Sequence, residues 1–438
     1  MDRNGPFEQP TQPNYPPPGL IGPEENSNKP WVPDGVLIGL AIASAVLLVA
    51  GAAVGFTWYR GRESDAASVA ESTRVTGDFS GGTEPPTSEP EGSVDFELLA
   101  CPEGTNEVIC DAAEYVQLTR EKPFKTFPEV ELMESEAFSA TLLEDYDEAR
   151  EELEEAELAF KGLGLIDQDA DLYEEFREVL SLGVVGFYDP EDGRLVLRGE
   201  DLNVYVQSVL VHELVHALDD QWFDLSREFE DDEASYGYTA IIEGNATRVD
   251  EAWTEELSSD EYGEFLAAQG ALFSPEDATK FLALPQAIIE LQSSPYVDGS
   301  KFLTEATSSE ADIDALLENP PATSERILHP DTSDADDPQV TVEPLDRPDV
   351  VDDGKLGEIV VRYMFGAEAA TGWEGDSYVV WSDAGRACVA AQVLVESEQD
   401  LTQLSAAVDG WVAEEPERSS SPVAEPGVFG VEFTNCSG

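Results

Sequence analysis

Residues 36–59 read VLIGLAIASAVLLVAGAAVGFTWY, twenty-four positions without a charged side chain. As a helix rising 1.5 Å per residue, this run is about 36 Å long, enough to cross the ~30 Å hydrocarbon core of a bilayer. Trp31 on one side and Trp58–Tyr59 on the other suit the two interfaces. A cleaved signal peptide has a shorter apolar stretch that starts nearer the N-terminus, so the sequence predicts a permanent transmembrane helix over 35–60. Everything downstream must then fold on one side of the membrane.

The flanks are simple. Residues 1–34 are rich in proline, asparagine and glycine and are expected to stay disordered. Residues 61–95 form a Ser/Gly/Pro/acid linker, a tether with little structure of its own. The basic residues give no orientation, since Arg60 and Arg62 follow the span while Arg3 and Lys29 precede it. The cysteines do. Cys101, Cys110, Cys388 and Cys436 contain no CxxC pair, which argues against a thiolate metal site. Proximity pairs them as Cys101–Cys110 and Cys388–Cys436, with four buried free thiols as the alternative. Disulfides place the large domain in an oxidising, extracytoplasmic compartment of a single-pass protein of the cell membrane.

Charge excludes one class of partner. The chain carries 93 acidic against 23 basic residues, a formal net charge of -70. Such a field repels nucleic acid and anionic membrane surfaces. The acid is spread along the chain rather than gathered in a tail, which suits a solvated surface in a salty milieu.

Pattern reading gives an α+β fold, mainly helical with a small β-sheet. Residues 142–166 and 171–183 have helical spacing, and VVGFYDPEDGRLVLRG (184–199) reads as a hairpin around DPEDG. A long helix follows over 201–225, capped by Asp201 or Asn203, and another from Ser235 to Leu257. Further helices fall within 259–317, punctuated by Pro275, Pro285 and Pro295. Near the C-terminus GEIVVRYMFG, DSYVVWSD and RACVAAQVLVES are strand-like. The strand GRLVLRG is either a core strand or an edge able to pair with an extended peptide.

The long helix holds VLVHELVHAL, with two of the chain's three histidines, His212 and His216, around Glu213. Spacing of i and i+4 stacks both imidazoles on one helix face, where they can bind one metal. Glu213 is rotated by about 100° from His212 and can touch a water without ligating. That arrangement suits metal-assisted hydrolysis, in which zinc acidifies a water and a carboxylate takes its proton. Two histidines satisfied by ordinary hydrogen bonds are the plain alternative. The helix is apolar almost all round, however, and unpaired polar groups buried there cost several kcal/mol.

A catalytic zinc takes a third protein ligand. The metzincin spacing is excluded, because the required positions hold Asp219 and Trp222. Downstream candidates are Asp231, Asp232, Glu233, Glu243 and Asp250. Glu243 stands out in TAIIEGNAT, an apolar stretch where a lone carboxylate needs a partner; the alternative is a helix-surface residue. Gly244 and Ala246 are expected to let this helix approach the histidine helix. Asn245-Ala246-Thr247 matches a glycosylation sequon but lies mid-helix, and DFSGGTE lacks the strand–helix context of a phosphate loop.

HExxH followed by a glutamate on the next helix resembles the gluzincin arrangement of thermolysin-like peptidases and aminopeptidase N. The set HELVHALDDQ, IIEGNAT, SPYVDGSKF, PPATSERILHP and GWEGDSYVVW is similar to bacterial and archaeal surface proteins with zincin signatures, over about residues 100–438. The resemblance implies a zincin-like catalytic domain over 96–335 with an α+β part, 336–438, packed on it. It implies His212, His216 and Glu243 as zinc ligands, Glu213 as general base and proton shuttle, and His329 or Tyr296 as oxyanion donor. Thermolysin-like enzymes carry an acid one turn after the glutamate ligand; here Thr247 occupies that place, and Asp250 is the candidate to orient a histidine.

These readings give a membrane-anchored zinc metallopeptidase acting on a peptide or protein substrate. The alternative is a surface or envelope binding protein whose zinc site is structural or catalytically inactive.

Overall fold

A computed structural model describes residues 96–436, apart from 149, 175–176, 178–179, 181–183, 200, 228, 230–231, 273–278, 281–282, 333–339 and 425–426. The expected disordered tail, membrane span and linker lie outside the described residues, as do Asp231 and part of the helix expected over 171–183. Among the described residues no helix is long and apolar enough to cross a membrane.

The fold is α+β. In chain order it runs α1 (Glu107–Thr119), β1 (Val130–Met133), α2 (Ser135–Glu148), α3 (Arg150–Leu163), β2 (Gly186–Asp189) and β3 (Arg194–Arg198). Next come α4 (Val204–Phe223), α5 (Asp232–Glu255), α6 (Ser259–Ala271), α7 (Gln286–Ala306), α8 (Glu310–Glu318) and α9 (Ser324–Leu328). The rest is β4 (Val350–Gly354), α10 (Gly357–Phe365), α11 (Ala367–Ala370), β5 (Trp373–Asp383), β6 (Arg386–Val395), α12 (Glu398–Glu414), β7 (Ser419–Pro422) and β8 (Phe429–Cys436). One sheet has the order β1-β3-β2 and the other, wholly antiparallel, β4-β5-β6-β8-β7. Both expected disulfides are present, and Cys388 and Cys436 stand directly opposite each other on β6 and β8.

Helix α4 starts where the Asn203 side chain accepts from the N–H groups of Tyr205 (3.1 Å) and Val206 (3.2 Å), filling two of the orphan donors of the first turn. It ends at Asp224, in the left-handed region at φ 58°. Helix α5 packs between α4 and α7. At Gly244 an added Cβ would collide with the backbone of Gly299 and Ser300, and at Gly299 with the carbonyl of Ala240. The glycine beside Glu243 therefore serves the crossing with α7, not the approach to α4 that the sequence suggested. Ala246 does lie with α4, buried among Leu214, Ala217 and Leu218.

Three local expectations change. Strand β3 is the middle of its sheet, not an edge, because β1 pairs with its other side in parallel. The four residues of VELM were too short a signal to place. GEIVVRYMFG is helical, although its β-branched residues favour strand. Its first-turn donors are claimed by Asp376 of β5, which accepts from Leu356 N (2.6 Å) and Gly357 N (2.9 Å). An anion at a helix N-terminus completes the unpaired N–H groups and favours the helix. Pro295, expected to break a helix, lies buried inside α7.

Candidate metal centre

Helix α4 presents His212 and His216, and α5 presents Glu243 against them. Glu243 Oε2 is 3.3 Å from His212 Nε2 and 3.6 Å from His216 Nε2. All three ligand atoms lie within 4.8 Å of one another. Tetrahedral zinc with bonds of about 2.0–2.1 Å sets its ligand atoms about 3.3 Å apart, which is the separation found between Glu243 and His212. The imidazoles stand edge to face, with centroids 4.8 Å apart and planes at 80°. Both ring nitrogens of His216 and Glu243 Oε1 are buried without a hydrogen-bond partner. Orphaned polar atoms of this kind are costly. A cation at the meeting point would satisfy His216 Nε2 and leave Glu243 free to use either oxygen.

The second nitrogen of His212 is provided for. Asp250, two turns beyond Glu243 on α5, places Oδ2 2.8 Å from His212 Nδ1. Accepting the Nδ1 proton leaves the Nε2 lone pair for a metal. Burial pulls the His212 pKa down, but bonds to Asp250 and Glu243 outweigh it and hold the ring above the usual imidazole range. Burial pushes Glu243 up, and the two histidines reverse this, leaving it below the usual carboxylate range.

Glu213 stands outside the ligand group. Burial raises its carboxyl above the usual range, with His212 and His216 pulling against that and a backbone bond from Tyr188 of β2 also lowering it. A buried carboxylate whose proton affinity is raised is suited to accept a proton. The centre is closed in this conformation: His212 is 6 %, Glu213 2 %, His216 1 % and Glu243 0 % exposed.

No protein-family model, curated protein or solved structure matches the chain.

Of the other residues singled out from sequence, Tyr296 is at the centre. Its buried ring stacks on His212 with centroids 6.0 Å apart and planes 13° from parallel. His329 is paired with a different acid. At the C-terminal end of α9 its Nε2 bonds Glu358 of α10 at 2.9 Å, and that bond raises its pKa above the usual range. Among the passed-over ligand candidates, Asp232 accepts from Lys355 N and Glu233 from Ser324 N and Oγ, both at the start of α5. Thr247 is buried with its hydroxyl unpartnered. Asn245 is fully buried, which is incompatible with a glycan there.

Sequence reading missed Asp219, three residues after His216. It is buried and accepts from Arg120 and Asn245. In the sequence Asp219 stands beside Asp220 at the end of the apolar run, where an acid reads as solvated.

Proposed function

We propose that His212, His216 and Glu243 hold a zinc ion and that the chain is a zinc-dependent peptidase. The observation carrying this reading is the convergence of three buried ligand atoms within 4.8 Å of one another, with His216 Nε2 orphaned and His212 Nδ1 already engaged by Asp250. Bound there, zinc supplies a Lewis acid that polarises a carbonyl and acidifies a water to a pKa of ~7.

The protein's own residues do the rest. Asp250 holds His212 in one tautomer and orientation. Glu213, beside the ligands but not among them, takes the proton from the attacking water and passes it to the leaving amine. A purely structural zinc site has no use for that unligated carboxylate. Tyr296, against His212, is the better placed of the two oxyanion donors the sequence offered, since His329 is engaged by Glu358. The membrane anchor and extracytoplasmic placement belong to the same proposal, supported by the uncharged run at 36–59 and the two disulfides.

The burial of all four side chains favours a second reading, a structural or inactive zinc in a surface binding protein. Zinc analysis and peptide-library cleavage by the full chain and Glu213→Gln separate the two. Zinc in both proteins with cleavage lost only in the variant supports the peptidase. Zinc in both with cleavage by neither supports the structural site. Neither protein binding zinc would sink both readings.

A further inference from the structure

Behind the metal centre lies a buried polar network that joins the two ligand-bearing helices. Asp219 of α4 accepts from Asn245 Nδ2 of α5 at 2.6 Å through Oδ2. Its Oδ1 accepts from Arg120 Nη2 at 2.8 Å and Nε at 3.1 Å. Arg120 caps the C-terminal end of α1, and its fully buried guanidinium also reaches Glu310 and Asp314 of α8, the latter at 3.2 Å. Arg248 of α5 donates to Asn245 Oδ1 at 2.9 Å and pairs with Glu310 at 2.9 Å, while Lys122 pairs with Asp314 at 2.6 Å. Three cations thus face three carboxylates, in a chain with only 23 basic residues against 93 acidic ones.

We infer that Asp219, Asn245 and Arg120 form a positioning network that sets the separation of α4 and α5 at the metal ligands, an inference that rests on the zinc reading of His212, His216 and Glu243. Asp219 is one turn from His216, and Asn245 is two residues from Glu243. A displacement at the Asp219–Asn245 bond therefore reaches the ligand atoms across less than about one helical turn, roughly 5 Å of stiff backbone. Metal–ligand distances tolerate only about ±0.2 Å. The bond is held from both ends: Arg120 grips the other oxygen of Asp219 with two N–H groups, and Arg248 fixes the amide of Asn245. With both oxygens of Asp219 and both ends of the Asn245 amide engaged, neither side chain is free to swing. The consecutive residues Glu243, Gly244 and Asn245 face, in turn, the histidines of α4, the backbone of α7 and the carboxylate of Asp219.

The test uses Co2+ as the probe on the full chain, with wild type, Asn245→Ala and Asp314→Asn compared after far-UV circular dichroism verifies folding. Asp314→Asn is the control, because it removes one of the negative charges facing Arg120 and leaves the bond between α4 and α5 intact. Asn245→Ala should shift the visible d–d bands of bound cobalt and weaken Co2+ and Zn2+ affinity by about tenfold or more, the range seen when outer partners of metal ligands are lost. Asp314→Asn should keep the wild-type spectrum and affinity even where it melts earlier. If Asn245→Ala does not fold, Asp219→Asn replaces it, with the same shift expected. A wild-type spectrum and affinity in the network variant overturns the positioning role alone, as does an equal shift in Asp314→Asn. A wild-type protein that binds no cobalt overturns the metal centre and the network together.

Discussion

The carboxylate of Asp250 stands 2.8 Å from Nδ1 of His212, although 38 residues separate the two along the chain. The pairing gives the first histidine of HExxH a fixed tautomer, whereas Nδ1 of His216 has no partner. The two imidazoles are therefore unequal, and the firmer one depends on a residue outside the proposed ligand set. Asp250→Ala should weaken zinc binding about 10–100-fold while leaving the fold intact. Competition against a chromophoric chelator measures this, and an unchanged affinity would remove Asp250 from the site.

The crossing of α5 and α7 at Gly244 and Gly299 leaves no room for a methyl group, and the opposing atoms are backbone that cannot rotate away. Gly244→Ala and Gly299→Ala should each destabilise the protein by about 1–3 kcal/mol or more, the range for overpacking a close-packed junction. Denaturant midpoints report this directly. Alanine at either position with a wild-type midpoint would mean the helices lie further apart than described.

Asp376 should give stability a pH dependence of its own. Burial pushes its carboxyl up to about 6, against the lowering effect of bonds from Leu356, Trp373 and Gly357. Because the folded pKa is raised, the native state holds this proton more tightly than the unfolded chain. Its contribution is fully present below about pH 4 and is lost as pH rises through about 6, a change of about 3 kcal/mol. Comparing wild type with Asp376→Asn between pH 4 and 7 isolates this from the rest of the chain's acids. The variant should gain on the wild type as pH rises; parallel stability curves would contradict the shift.

The two disulfides should differ in weight. Cys388–Cys436 closes a separation of 48 residues and Cys101–Cys110 one of only 9. On the loop-entropy account the first stabilises by about 4 kcal/mol and the second by about 2.5 kcal/mol. Paired serine substitutions compared by thermal melting should rank them in that order. The reverse order would show that the bridge joining Cys101 to the first turn of α1 does more than close a loop.

Where the controlling interaction was local, the sequence was readable. The hairpin at DPEDG, the cap at Asn203 and both cysteine pairings needed only neighbours or proximity. Glu243 was found because a lone acid in an apolar run implies a partner, and Asp250 because a histidine ligand implies an acceptor. What could not be read was set at a distance. The helix at Gly357–Phe365 takes its cap from Asp376, and β3 became central through the four-residue β1. Arg120 reaches Asp219 across 99 positions, and no periodicity in either segment announces that contact.

Three successive residues of α5 are each held by a different neighbour, so the helix has lost its easy rigid-body motions. Sliding it along its axis would drive Gly244 into α7, and a screw rotation would part Asn245 from Asp219. Such a helix does not wait for an ion to find its place. Metal uptake should therefore be a docking event rather than a folding one, with little gain of secondary structure on loading and little loss on chelation, unlike small zinc domains that unfold without their ion.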